Sequence, residues 1–210
     1  MGSPKEIAQF YMFWLLVILP VVLVVAITSD NIEGTDRPPY HEYAKRARYI
    51  VNRANWTVMA TFSYHDPITG FPYARVESCV DGLLHKGTGT PYFYLMKDGT
   101  PMQNIKKCNN VTLSYSEAEF NDIKSCTVSP TSDPENPLCS RLMLYGNSYE
   151  VTDKAEHQMA QSALFTRHPI MKDFPPGHQF TVYGFKLSYI YLLDFYGGAV
   201  SIDIADYYNV

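Results

Sequence analysis

Hydrophobic and polar positions alternate along this chain at two different periods. Between 41 and 54, Tyr43, Ala44, Ala47, Ile50, Val51 and Ala54 recur at helical spacing, interleaved with Lys45, Arg46, Arg48 and Arg53. That pattern predicts an amphipathic helix with a solvated basic face. From Thr57 to Tyr64 the period falls to two, with Val58, Ala60, Phe62 and Tyr64 on one side and Thr57, Thr61 and Ser63 on the other. This is the signature of a half-buried strand. The turn formers of His65–Gly70 and renewed alternation from Tyr73 to Val80 predict a hairpin. Gly82–Pro91, carrying Gly82, Gly87 and Gly89, reads as a loop, and Tyr92–Met96 as a central strand. Met102–Cys108 reads as a short helix with Pro101 at its first position. Val111–Ser116 and Arg141–Val151 are further strands, and Asp153 with Glu156 resembles a capping box opening a helix to about Phe165. Thr181–Phe195 reads as a long strand, broken or bulged near Gly184 and Ser188. Many antiparallel segments and few helices point to a mainly β (α+β) closed or split barrel over a parallel α/β sheet.

Ahead of this pattern lies an apolar run, Phe13–Ile27, interrupted by Pro20. It is shorter than the roughly 20 residues a spanning helix needs. With Lys5 before it and Ala26, Thr28 and Ser29 at its end, it fits a cleaved signal peptide over 1–28. A flexible linker over 29–40 and one domain over 41–210 then follow. The rival reading is an uncleaved signal-anchor tethering the chain to a membrane; after cleavage no stable membrane association is expected. Either way the rest of the chain faces the secretory lumen.

That compartment changes the meaning of several residues. Asn55-Trp56-Thr57 and Asn110-Val111-Thr112 become glycosylation acceptors at Asn55 and Asn110. The four cysteines, Cys79, Cys108, Cys126 and Cys139, are expected to bridge. Cys126 and Cys139 flank a segment rich in turn formers, so joining them pins an exposed excursion; Cys79 with Cys108 is the remaining pair. Zinc is the competing use of these thiols, but there is no Cys-x-x-Cys and no closely spaced His pair. A net charge of −4 with no long basic run gives little to attract nucleic acid.

Candidate chemistry is sparse. Ser63, His65 and Asp66 enter a turn without a nucleophile elbow and read as turn residues. His168 stands where a helix must end before Pro169, a capping position. Gly197 and Gly198 end a strand and would let backbone approach a ligand or a neighbouring subunit closely.

Several stretches, in order, resemble the CREG family: Gly89-x-Pro91-Tyr92-Phe93-Tyr94-Leu95, Pro137-Leu138-Cys139, Leu164-Phe165-Thr166-Arg167-His168-Pro169-x-Met171, Leu193-Asp194-Phe195-Tyr196-Gly197-Gly198 and the terminal Tyr207-Tyr208-Asn209-Val210. The resemblance implies a split β-barrel like that of flavin mononucleotide (FMN)-binding oxidoreductases such as pyridoxamine-phosphate oxidase. It implies a homodimer, and a secreted or lysosomal glycoprotein linked to growth restraint and differentiation. It also implies binding to a mannose 6-phosphate receptor through glycans. In the oxidase relatives cations hold the flavin phosphate. Here Arg75 matches the first such position, while Thr100-Pro101-Met102-Gln103-Asn104 lacks the cationic pair of the second. Lys97 and Lys106 are out of phase with that motif, and Glu77 stands two residues from Arg75 on the same strand face. The expectation is therefore a degenerate cleft without cofactor, with the Gly82–Pro91 loop free to drop into it. The alternative is an FMN-dependent oxidoreductase using Arg75, Gly197 and Gly198.

Overall fold

The computed structural model describes residues 36–210; the leader expected over 1–28 and residues 29–35 of the expected linker lie outside the described residues. Within Pro38–Val210, helix α1 (Tyr43–Arg53) leads into the antiparallel hairpin of β1 (Trp56–Phe62) and β2 (Pro72–Ser78). Next come β3 (Val80–Leu83), β4 (Lys86–Met96), α2 (Thr100–Lys107), β5 (Val111–Ser116) and β6 (Arg141–Glu150). The chain finishes with α3 (Lys154–Arg167), β7 (Phe180–Leu193), β8 (Val200–Ser201) and α4 (Ile204–Tyr208). The strands form one antiparallel sheet in the order β2-β1-β5-β6-β7-β4-β3, with β8 added beside β7. The sheet curls until β2, at one end of that order, faces β4 near the other, and the gap between them is a cleft. The expected split barrel is the fold that forms.

Two apolar clusters hold it. The larger fills the barrel interior, where Met59, Phe93, Leu113, Leu144, Phe185 and Ile190 meet Ala47, Ile50 and Val51 of α1. The smaller lies outside, between α3 (Ala160, Ala163, Leu164) and Val80, Tyr92 and Val182 of the sheet. Asp153 caps α3 by accepting from the Glu156 N–H. The Glu156 carboxylate does not return to the cap. It accepts from the hydroxyls of Tyr92 (2.9 Å) and Tyr149 (2.6 Å), tying α3 to β4 and β6. The Arg167 guanidinium caps α1 from another element, donating to the carbonyls of Asn52 (2.7 Å) and Ala54 (3.0 Å).

Four expectations change. Of the basic face only Lys45 stays exposed: Arg46 is 1% exposed, Arg48 donates to Gly87 O at 2.7 Å, and Arg53 pairs with Asp122 at 2.6 Å. Gly82–Pro91 is not a loop but part of the β3–β4 hairpin, with Gly82 opposite Gly87. It packs against α1 and Tyr207: Arg48 of α1 donates to Gly87 O and Tyr207 donates to Gly89 O, while Gly89 N donates to buried Asp81 within the hairpin. On β1 the face carrying Thr57, Met59 and Thr61 turns inward, leaving Val58, Ala60 and Phe62 outward. In β7 the bulge falls at Ser188 alone: Tyr145 pairs Tyr189 and Gly146 pairs Leu187, while Gly184 stays in register. Gly146 is required there, since a Cβ would lie 2.0 Å from the Lys186 carbonyl oxygen.

Cys126 and Cys139 are bonded and close the excursion between β5 and β6. Cys79 and Cys108 are free thiols, which corrects the second bridge. Cys79 is sealed in the main core at the β2–β3 junction, and Cys108 ends α2, its N–H donating to Asn104 O. The expected experimental result is two reactive thiols in unfolded, unreduced protein, with none or four contradicting the assignment. Removing the Cys126–Cys139 bridge should lower unfolding stability by up to about 3 kcal/mol, read by denaturant titration.

Candidate functional site

The cleft between β2 and β4 has a volume of about 410 Å³. β2 supplies Arg75 and Glu77 and β4 supplies Tyr94 and Met96. The start of α2 adds Pro101 and Met102, and the 169–180 segment adds Met171, Phe174, His178 and Phe180. Strand alternation puts Arg75 and Glu77 on the same face, and their side chains meet: Arg75 Nε lies 2.7 Å from Glu77 Oε1. Glu77 is the deeper partner, 7% exposed against 49% for Arg75. The Glu77 carboxylate holds the Arg75 guanidinium above its ordinary pKa, against the opposing effect of partial burial.

One wall is aromatic. Tyr94 and Phe180 stack at 5.4 Å between centroids, Phe174 packs on Phe180 at 4.8 Å, and Phe165 meets Tyr94 edge-on at 5.2 Å. Thioethers of Met96, Met102 and Met171 fill the remaining surface, with His178 Nδ1 3.2 Å from Met96 Sδ.

These residues do not fit an FMN phosphate. Such a group carries close to two negative charges and needs fixed cations or free N–H groups. Arg75 is the one Lys or Arg among the described residues lining the cleft, and its charge is matched by Glu77. Lys97 pairs with Glu150 at 2.8 Å and Lys106 with Asp98 at 3.1 Å. Pro101 has no N–H to offer in the first turn of α2, and Gln103 N already donates to Gly99 O.

The other sequence candidates lie elsewhere. Gly197 and Gly198 have φ of +111° and +97° in an exposed turn after β7. β7 contributes to the cleft at Phe180, its opposite end, and neither glycine lines the cleft. The structure therefore does not bring them to Arg75 within this chain. The Gly82–Pro91 hairpin stays on the α1 side and does not enter the cleft. Ser63, His65 and Asp66 form the β1–β2 turn, where Asp66 accepts from Thr69 at 3.2 Å. His168 is the C-cap of α3, with Nε2 3.2 Å from Cys79 O. Asn55 and Asn110 are both exposed. The sequence reading missed the Phe174–His178–Phe180 wall. Its only local sign was Pro175-Pro176-Gly177, which marks a turn without saying what it faces.

Comparison with known proteins identifies relatives of this arrangement. The family described as CREG, beta-barrel matches residues 38–209. Protein CREG1 of Gallus gallus is 33% identical over 195 residues, covering 92% of this chain and 98% of the relative. Protein CREG1 of Homo sapiens is 34% identical over 173 residues, covering 82% and 76%. Among solved structures, a heme binding protein from Mycobacterium smegmatis superposes with a TM-score of 0.61 at 20% identity, covering 82% of this chain and 61% of that one. This chain thus spans about three-fifths of that protein. A general stress protein 26 relative of the pyridoxinephosphate oxidase family from Clostridium acetobutylicum superposes with a TM-score of 0.51 at 15% identity, covering 79% and 96%. At these identities the solved structures speak to the fold alone.

One buried group, Asp81, and two half-buried ones, Glu119 and His168, lie outside the cleft and give the fold a dependence on pH. Burial pushes the Asp81 carboxyl above its ordinary value of 3.8, partly opposed by bonds from Asn52 and Gly89. Burial likewise raises Glu119, opposed by the N–H groups of Asn55 and Trp56. For both, the folded chain holds its proton more tightly than the unfolded one. Their contribution is present at acid pH and is lost as pH rises through the raised values. Burial lowers His168 from its ordinary 6.5, which has the opposite sign: its contribution is present above that value and lost as pH falls through the lowered one. Thermal midpoints measured near pH 4 and near pH 7 should shift against each other accordingly. Asp81→Asn should shrink the gain on acidification, and His168→Gln should enlarge it.

Proposed function

The chain belongs to the CREG β-barrel family, and from that membership we propose that it is a non-catalytic split-barrel glycoprotein, secreted or delivered to the lysosome. In this reading it acts as a homodimer and is recognised through its glycans by a receptor of the mannose 6-phosphate type. It serves growth restraint, differentiation or lysosomal function and turns over no substrate. The observation that carries the proposal is the cleft, where the single guanidinium is matched by the carboxylate of Glu77. Exposed Asn55 and Asn110, on the described surface, support the glycan-dependent part. The apolar outer face of the β1–β2 hairpin, with Trp56, Phe62, Phe71 and Val76 all exposed, supports self-association.

The rival reading is an FMN-dependent oxidoreductase using the same cleft. It draws support from the solved neighbour described as a member of the pyridoxinephosphate oxidase family and from Arg75 at the cleft rim. The two separate on purified full-length protein from a secretory host. The proposal expects a colourless preparation that releases no stoichiometric flavin on denaturation. It also expects two mobility steps on deglycosylation, one lost with Asn55→Gln and one with Asn110→Gln, and no receptor binding by the double variant. A yellow preparation with about one FMN per chain contradicts it.

A further inference from the structure

What the cleft lacks for a phosphate it has for a different ligand. Its deepest polar group is a carboxylate, since Glu77 is 7% exposed, and its wall is lined by the mutually packed rings of Tyr94, Phe174 and Phe180. Aromatic faces are electron-rich and attract cations, and thioethers such as Met102 and Met171 pack well on flat rings. A carboxylate held away from water needs a positive partner. Arg75 fills that need now, but it is half exposed at the rim and can turn its charge to solvent at little cost. The volume of about 410 Å³ lies in the range used by small-molecule sites.

We propose that this cleft binds a flat aromatic cation without a phosphate, an aromatic amine or protonated heterocycle, whose rings lie on the Phe174–Phe180–Tyr94 wall and whose N–H groups donate to Glu77 in place of Arg75. The proposal rests on the reading above that the cleft has no anchor for an anionic tail. It assigns Glu77 as the ligand-binding group and Arg75 as an internal competitor for the same carboxylate. Arg75 therefore acts in the opposite sense to the one it would have in a flavin site.

The test uses proflavine, a planar fluorescent aromatic cation, titrated into full-length secreted protein and followed by polarisation. The expected result is saturable one-to-one binding that excess FMN does not displace. Arg75→Ala should tighten it by about tenfold, and Glu77→Gln should weaken it by about tenfold or more. Should Glu77→Gln fold poorly, Arg75→Ala decides alone, because a half-exposed rim residue is replaceable and the predicted gain cannot come from general damage. Weakened or unchanged binding in Arg75→Ala, or no saturable binding in either wild type or Arg75→Ala, overturns the inference. Stoichiometric FMN in the purified protein would overturn the non-catalytic reading as well. Absence of both FMN and proflavine binding overturns only the inference made here.

Discussion

The fold is organised around a buried guanidinium. Arg46, on α1, reaches Glu117 Oε1 at 3.1 Å and lies 3.3 Å from Asp194 Oδ1, beneath the ring of Tyr40 at 4.6 Å. Glu117 follows β5, Asp194 follows β7, and Ser140 stands just ahead of β6. Ser140 joins both acids, its N–H donating to Glu117 and its hydroxyl to Asp194. The His41 N–H donates to the second Asp194 oxygen at 2.7 Å. One helix and the ends of three strands are thus held by a single cation, at the point where the disulfide-closed excursion re-enters the sheet. Two carboxylates in so dry a site would be prohibitive alone, and removing the partner of such a buried group typically costs about 3–5 kcal/mol.

The same internal use of charge runs through the rest of the molecule. Arg48 serves Gly87 O and the Tyr207 backbone, Arg53 serves Asp122, and Arg167 serves the end of α1. At the cleft Arg75 serves Glu77, while Lys97 ahead of α2 serves Glu150 and Lys106 in its last turn serves Asp98. At all of these points the cations stabilise the chain's own backbone and acids. That internal use of positive charge is what the proposed function and the proposed ligand class share.

Much of this was legible before the structure. Strand alternation and caps located most elements, because those signals are local, but not β3, β8 or α4. The burial of Arg46 was not read: it was placed on the solvated basic face, although it sits four residues before Ile50 and so on the apolar face of α1. Its charge argued against burial only because Glu117 and Asp194, 71 and 148 residues away in sequence, could not be seen to converge on it. The Gly82–Pro91 stretch was misread for a similar reason. Gly87 and Gly89 accommodate close neighbours from α1 and α4, not turn geometry alone, and a Cβ at Gly87 would sit 2.2 Å from Asp81 Oδ2. The inward face of β1 was hidden because Thr57 bonds the Ser114 carbonyl and Thr61 accepts from the Asn104 amide, so polar residues are satisfied inside. Phe174 and His178 lie on a segment without period, and only the tertiary fold brings them, with Tyr94 and Phe180, into the cleft that holds Glu77.

The measurement that bears most directly on this account is the difference in affinity between FMN and riboflavin for protein freed of bound small molecules, determined by equilibrium dialysis. The two ligands differ only in the phosphate, so the ratio isolates the contribution of positive charge in the cleft. With Arg75 neutralised by Glu77, FMN should bind no more tightly than riboflavin. A preference for FMN of about a hundredfold or more would show a working anion site and contradict the account.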